Sequence, residues 1–78
     1  MKEFVESIAK YLVDKPDGVR VEEKVVDDKK IIFTLKVAPE DIGKVIGKQG
    51  KTAQAMRVLL TAIAAKEGIR AILEIADK

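Results

Sequence analysis

Residues Val45–Thr52 read VIGKQGKT, and two incompatible structures compete for them. Gly50-Lys51-Thr52 is how a nucleotide-triphosphate phosphate loop ends. Gly47-Lys48-Gln49-Gly50 is a pair of glycines bracketing two polar residues. A phosphate loop runs Gly, four residues, Gly-Lys-Ser/Thr, between a buried strand and a helix. Its first glycine belongs at position 45, and that residue is Val45. Valine resists the backbone torsions that let amides curl round a phosphate. The preceding Pro39-Glu40-Asp41-Ile42-Gly43-Lys44 is a helix start, because proline suits the first helical position and acids suit the positive end of the helix dipole. A chain of 78 residues also lacks the larger wound sheet such a site needs. An acid for magnesium at Asp77 would lie one residue from the end of the sequence. The enzyme reading is therefore set aside.

The same residues read well as helix–loop–helix. Gly47 and Gly50 permit a tight reversal and let a polymer backbone come close. The second helix begins at Lys51 or Thr52, so its free amides and positive end point at the loop. Lys48 sits at the tip, where it can pack against little, and Lys44 and Lys51 lie just outside. Amides, a helix end and ammonium groups together suit phosphodiesters. Ile42, Val45, Ile46 and Ala53 can wall a narrow groove beside them. Five basic residues and no acid fall between Gly43 and Lys66, whereas the rest of the chain carries ten basic and thirteen acidic residues. The net charge of +2 thus hides a local field that attracts anions. The bland alternative is a solvated, lysine-rich helix face.

Working outward, Phe4, Val5, Ile8, Ala9 and Leu12 share a helical face, predicting a helix over 2–14. Asp14-Lys15-Pro16-Asp17-Gly18 ends it. Val19, Val21 and Val25-Val26 mark a strand, irregular near Glu23-Lys24. A polar turn at Asp27–Lys30 leads to the clearest strand, Ile31–Val37, and the short link predicts a hairpin. After the loop, Ala53, Met56, Leu60, Ile63 and Ala64 form the buried stripe of a long helix closed by Glu67-Gly68, with Gly68 a left-handed cap. Arg70–Ala76 is the last strand. The expectation is one α+β domain over 1–78, helix–strand–strand–helix–helix–strand, with three helices on one face of a three-stranded mixed sheet. The other face is expected to be polar, with Arg20, Glu22, Thr34, Lys36 and Glu74, and to carry Ile32 and Ile72.

Composition agrees with a small folded domain: 47% hydrophobic and 36% charged residues with two prolines do not describe a disordered chain. Such a chain buries only about 60% of its unfolded surface, which leaves little room for an enclosed active site. No apolar run approaches the ~18 residues of a membrane span. The acidic start does not resemble a signal peptide, and a cytoplasmic protein is expected. There is no cysteine or histidine, so no disulfide framework, no thiolate metal site and no imidazole base. No metal or cofactor is expected.

Ile42–Arg57, IGKVIGKQGKTAQAMR, strongly resembles the signature of KH domains. In these a Gly-x-x-Gly loop between two helices clamps about four nucleotides of single-stranded RNA or DNA. The element order matches the type II, prokaryotic version. The chain's size and its opening MKEFVESIAKYLVDKPD are similar to the small bacterial KhpA-like family, and the resemblance covers essentially the whole chain. It implies that Gly47, Lys48, Gln49 and Gly50 pack on a sugar–phosphate backbone. Gly43 then matches a small residue where a base or ribose passes. Lys44 and Ile46 belong to the helix before the loop, Lys51, Thr52 and Arg57 to the helix after it. Ile31–Val37 would form the far wall of the groove. The family further implies a non-catalytic, cytoplasmic binder of single-stranded RNA, or DNA, of RNA-chaperone or regulator type, linked to cell shape and cell wall biogenesis. It implies as partner a second KH-containing protein of KhpB (Jag) type, a homodimer, or both.

Several of these residues have plainer readings. Val45, Ile46 and Met56 read as core before they read as ligand contacts. Gly43 would be required by close helix–strand packing, and Lys36 and Lys66 would be solvated charges. Phe4 and Phe33 fall on core phases, and Tyr11 is far from the loop. No aromatic stacking platform is available. The competing function is a protein-interaction module that retains the KH fold. Such modules lose the basic loop, which is intact here.

Overall fold

The structure, a computed structural model, describes residues 1–77. Helix α1 spans Lys2–Leu12, strand β1 Arg20–Asp27 and strand β2 Lys30–Val37. A 3-10 turn at Pro39–Asp41 leads into the short helix α2, Ile42–Ile46. Helix α3 follows over Lys51–Lys66, and strand β3 over Arg70–Asp77 closes the order expected from the sequence. The sheet order is β1-β2-β3. β1 and β2 pair antiparallel, with Val21 opposite Leu35 and Glu23 opposite Phe33. β2 and β3 pair parallel, with Phe33 beside Leu73 and Lys30 beside Arg70.

The core lies between the helices and one face of the sheet. Phe33, Leu35 and Val37, alternate residues of β2, are fully buried, as period-two side chains of a central strand should be. Val5 and Ala9 come down from α1, Val45 from α2, and Ala53, Met56, Leu60 and Ala64 from α3. Ile63 is half-buried at the edge of that stripe. Gly68 adopts φ 71. Its amide donates to Ala65 and the Ile69 amide to Ala64, the left-handed cap expected at this helix end.

Strands β2 and β3 each run one residue beyond the expected range, to Lys30 and Asp77, and larger differences lie in the first helix and the first strand. The first helix stops at Leu12 rather than running to Asp14. The amides of Asp14 and Lys15 donate instead to the two carboxylate oxygens of Asp41, at 3.3 and 3.1 Å. The irregularity of β1 falls between Val25 and Asp27, not at Glu23-Lys24. Glu23, on the core-facing phase opposite Phe33, is nonetheless exposed, because the helix layer does not reach this part of the edge strand.

Asp41 is a polar residue only 1% exposed. A buried carboxylate is tolerable only when its oxygens are satisfied, and here two main-chain amides do so. The Asp41→Ala variant is expected to lose about 2 kcal/mol of unfolding free energy, from the lost hydrogen bonds and the amides left behind. Asp28→Ala, in the exposed hairpin turn, should change it by less than about 0.5 kcal/mol. Urea denaturation of both variants makes the comparison.

Candidate nucleic-acid interface

The loop between α2 and α3 is built by backbone conformations that few residues adopt. Gly47 has φ 78, ψ 173, Gln49 φ 58, ψ 26 and Gly50 φ 73, ψ 11. Three of the four residues therefore have positive φ, which strongly favours glycine. The Gly47 amide donates to Gly43 at 2.9 Å, and the Gly50 amide to Gly47 at 3.1 Å. The result is a tight reversal with Lys48 and Gln49 exposed at its tip.

Gly47 is required twice over. A β-carbon there would lie 2.1 Å from the Thr52 hydroxyl oxygen. Thr52, half-buried, is thus packed beneath the loop and helps to shape it. Gly43 is different. A β-carbon there would meet nothing within 4 Å, so close helix–strand packing does not explain this glycine. The surface over it is open.

The cations divide into tethered and untethered groups. Lys44 Nζ lies 2.8 Å from the Asp14 carboxylate. That hydrogen bond raises the Lys44 pKa above its ordinary value. Lys15 pairs with Glu40 one turn earlier. The pairing raises the pKa of Lys15 and lowers that of Glu40. Arg57 Nε donates to the carbonyl of Leu73 at 3.3 Å, which holds the guanidinium across the gap between α3 and β3. Among the described residues Lys48 and Lys51 have no carboxylate within ion-pairing distance. Lys36, expected to be solvated, is 3.1 Å from Glu22, whereas Lys66 is exposed.

Val45 and Ile46 part company. Val45 is fully buried, while Ile46 is 37% exposed beside the loop; only the first is core. The far wall of the groove also needs correction. Ile31–Val37 cannot supply its edge, because β2 is the central strand, paired on both sides, and Phe33, Leu35 and Val37 are buried. The strand beside α3 with an unpaired outer edge is β3. Arg57 of α3 touches this strand at the Leu73 carbonyl. Gly43, Lys44 and Ile46 thus sit on α2 before the loop, and Lys51, Thr52 and Arg57 on α3 after it, with Arg57 reaching across to β3.

Sequence reasoning missed Asp41 and the Asp14–Lys44 pair, neither of which has a local signal. It also passed over the outer face of α3, where Val58 is 63% and Leu59 50% exposed. Here a signal existed: Ala55, Val58, Leu59 and Ala62 recur at helical spacing. Among the described residues no helix is long and apolar enough to cross a membrane, and no acid cluster could hold a metal ion.

The family model for the KH domain of KhpA/KhpB matches residues 2–75. The chain belongs to the KhpA/KhpB KH-domain family. It is 56% identical over 75 residues to the RNA-binding protein KhpA of Clostridium perfringens, covering 96% of this chain and 99% of that one. The KhpA of Caldanaerobacter subterraneus is 59% identical over the same shares. That of Chlamydia pneumoniae is 47% identical over 78 residues, 100% of this chain and 99% of the relative. No solved structure matches the chain significantly. KhpA/KhpB KH domains are binding modules, and the nucleotide-hydrolase reading of Gly50-Lys51-Thr52 falls away.

The two loop glycines should not tolerate substitution equally. Gly50→Ala puts a β-carbon into open space and carries only the left-handed penalty of about 1–2 kcal/mol. Gly47→Ala must also displace Thr52 and should lower the unfolding free energy by more than Gly50→Ala does. Thermal melts rank them, and an equal or reversed order would contradict the Gly47–Thr52 packing.

Proposed function

We propose that the protein binds single-stranded RNA, or DNA, without chemistry, gripping about four nucleotides of sugar–phosphate backbone in the Gly47–Gly50 loop. The observation that carries this reading is the loop itself: an exposed, positive-φ reversal at the start of α3, with untethered Lys48 at its tip. The relatives named as RNA-binding proteins support it. Lys51 and the terminal nitrogens of Arg57 add charge along the groove, and Ile46 and the surface over Gly43 give room for bases or ribose. The free edge of β3 offers amides and carbonyls to base edges. Lys44 takes part after exchanging Asp14 for a phosphate. Thr52 acts by holding the loop. The cellular setting is a cytoplasmic RNA chaperone or regulator, in line with a family linked to cell shape and wall biogenesis.

If about three cations meet phosphates, log affinity should fall with log salt at a slope of roughly −2, at about −0.7 per contact on single strands. Fluorescence anisotropy on a short random RNA measures it. Lys48→Asp with Gln49→Asp should abolish binding while the thermal melt stays in place. Parental affinity in that double variant would overturn the clamp.

A footprint this small gives modest affinity, and a second binding unit raises it through effective concentration. The exposed face of α3 favours a second copy of this chain, or a second KH-containing protein of KhpB (Jag) type, as that unit. Leu59→Glu should shift sedimentation toward monomer without weakening short-RNA binding. Unchanged sedimentation of an associating parent would place the contact elsewhere.

A further inference from the structure

The face of the sheet turned away from the helices has not been accounted for. Register places Arg20 with Lys36, Glu22 with Thr34 and Lys24 with Ile32. It continues these rows with Glu74 beside Thr34, Ile72 beside Ile32, and Arg70 beside Lys30. Directly registered residues share a face, and these lie on the phase opposite buried Phe33, Leu35 and Leu73. None of them is buried, so no element covers this surface.

Its charge is uneven. Arg20, Lys24, Lys30, Lys36 and Arg70 face Glu22, Glu74 and, at the hairpin end, Asp27: five cations against three carboxylates, an excess of two. Glu22 is taken up by Lys36 at 3.1 Å. Asp27 accepts the Lys29 amide at 2.7 Å. Among the described residues Lys24, Lys30 and Arg70 have no carboxylate partner. They surround the half-buried pair Ile32 and Ile72. The segment Gly43–Lys66 carries +5 and this face +2, so a total of +2 leaves −5 on the remainder of the chain. Positive charge is therefore gathered on two surfaces, on opposite sides of the sheet.

We infer that the hairpin end of the open sheet face, Lys24, Lys30 and Arg70 around Ile32 and Ile72, is a second RNA surface that contacts phosphates. The inference rests on the RNA-binding reading above. With no aromatic side chain on this face, contact is through charge and is indifferent to base sequence. One chain then holds two stretches of RNA, or two points of one strand, on opposite sides. A stacked strand of 20 nucleotides is about 70 Å long at ~3.4 Å per nucleotide, twice the longest molecular dimension of 34 Å. It can leave the loop and reach the sheet. A tetranucleotide cannot.

The test uses the full chain and two RNAs, a tetramer and a 20-mer, at 50 and 200 mM salt. The triple variant Lys24→Gln, Lys30→Gln, Arg70→Gln removes three cations. Its log–log salt slope for the 20-mer should be shallower by about 2, at ~0.7 per contact. Over the fourfold salt range the parent should thus lose about sixteenfold more affinity than the variant. Tetramer affinity should not change. An unchanged 20-mer slope overturns the proposal, and so does an equal loss on the tetramer, which would mark a general field effect. If polyglutamate binds the parent but not the triple variant while the 20-mer slope is unchanged, the face belongs to an acidic protein partner, and the proposal again fails. The Lys48→Asp, Gln49→Asp variant separates the two readings. Tetramer binding that survives it sinks the clamp, whereas the 20-mer slope alone decides the sheet.

Discussion

Parallel pairing of β2 with β3 is the constraint from which the site follows. An antiparallel neighbour can be reached through a two-residue turn, as β1 reaches β2 through Asp28 and Lys29. A parallel neighbour demands a crossover that carries the chain back along the strand. Eight residues of β3 span about 26 Å at ~3.3 Å each, and sixteen residues of α3 span about 24 Å at ~1.5 Å each. One long helix therefore makes the whole return. What precedes it has only to turn the chain over, which leaves α2 five residues and puts a sharp reversal at the start of α3. The Gly47–Gly50 loop stands where this topology requires a reversal, at the positive end of the long helix.

A helix of five residues has no stability of its own, so α2 must be held by its surroundings. Val45 anchors it in the core. Asp41, just before its first residue, seizes two amides at the end of α1. The Lys15–Glu40 and Lys44–Asp14 pairs reinforce the same junction from the surface. Both are exposed, and exposed pairs contribute little to stability. Their sign matters more than their strength. Asp14 fixes the position of the Lys44 ammonium beside the loop.

Much of this was legible in the sequence because local and long-range signals agreed. Ile31–Val37 alternated cleanly, Gly68 marked a helix end, and Val45 in place of glycine ruled out a nucleotide loop. Residues whose surroundings come from distant segments were not legible. Asp41 looked like an acid at a helix start, and its amide partners lie 26 and 27 residues away. Ile46 and Val45 are adjacent and equally apolar; only the packing of α2 sends one inward and the other out. The far wall was misplaced because β2, the strongest strand by pattern, is strong for being central, and a central strand has no free edge to offer.

The absence of a stacking platform gives charge distribution more weight here than it would have in an aromatic-rich binder. Base stacking holds a strand wherever a ring is presented, whereas phosphate attraction acts over a Debye length of about 10 Å and does not by itself choose a path. The remainder of the chain carries −5 in total, though residues 2–18, α1 and the turn after it, hold four acids against three cations. Glu6 is paired with Lys10 and Asp14 with Lys44, so α1 and the turn after it are close to neutral and do not by themselves repel phosphate. In a chain of nearly neutral total charge, the five cations and no acid of Gly43–Lys66 make the loop and its two helices the segment with the strongest local pull on an anion.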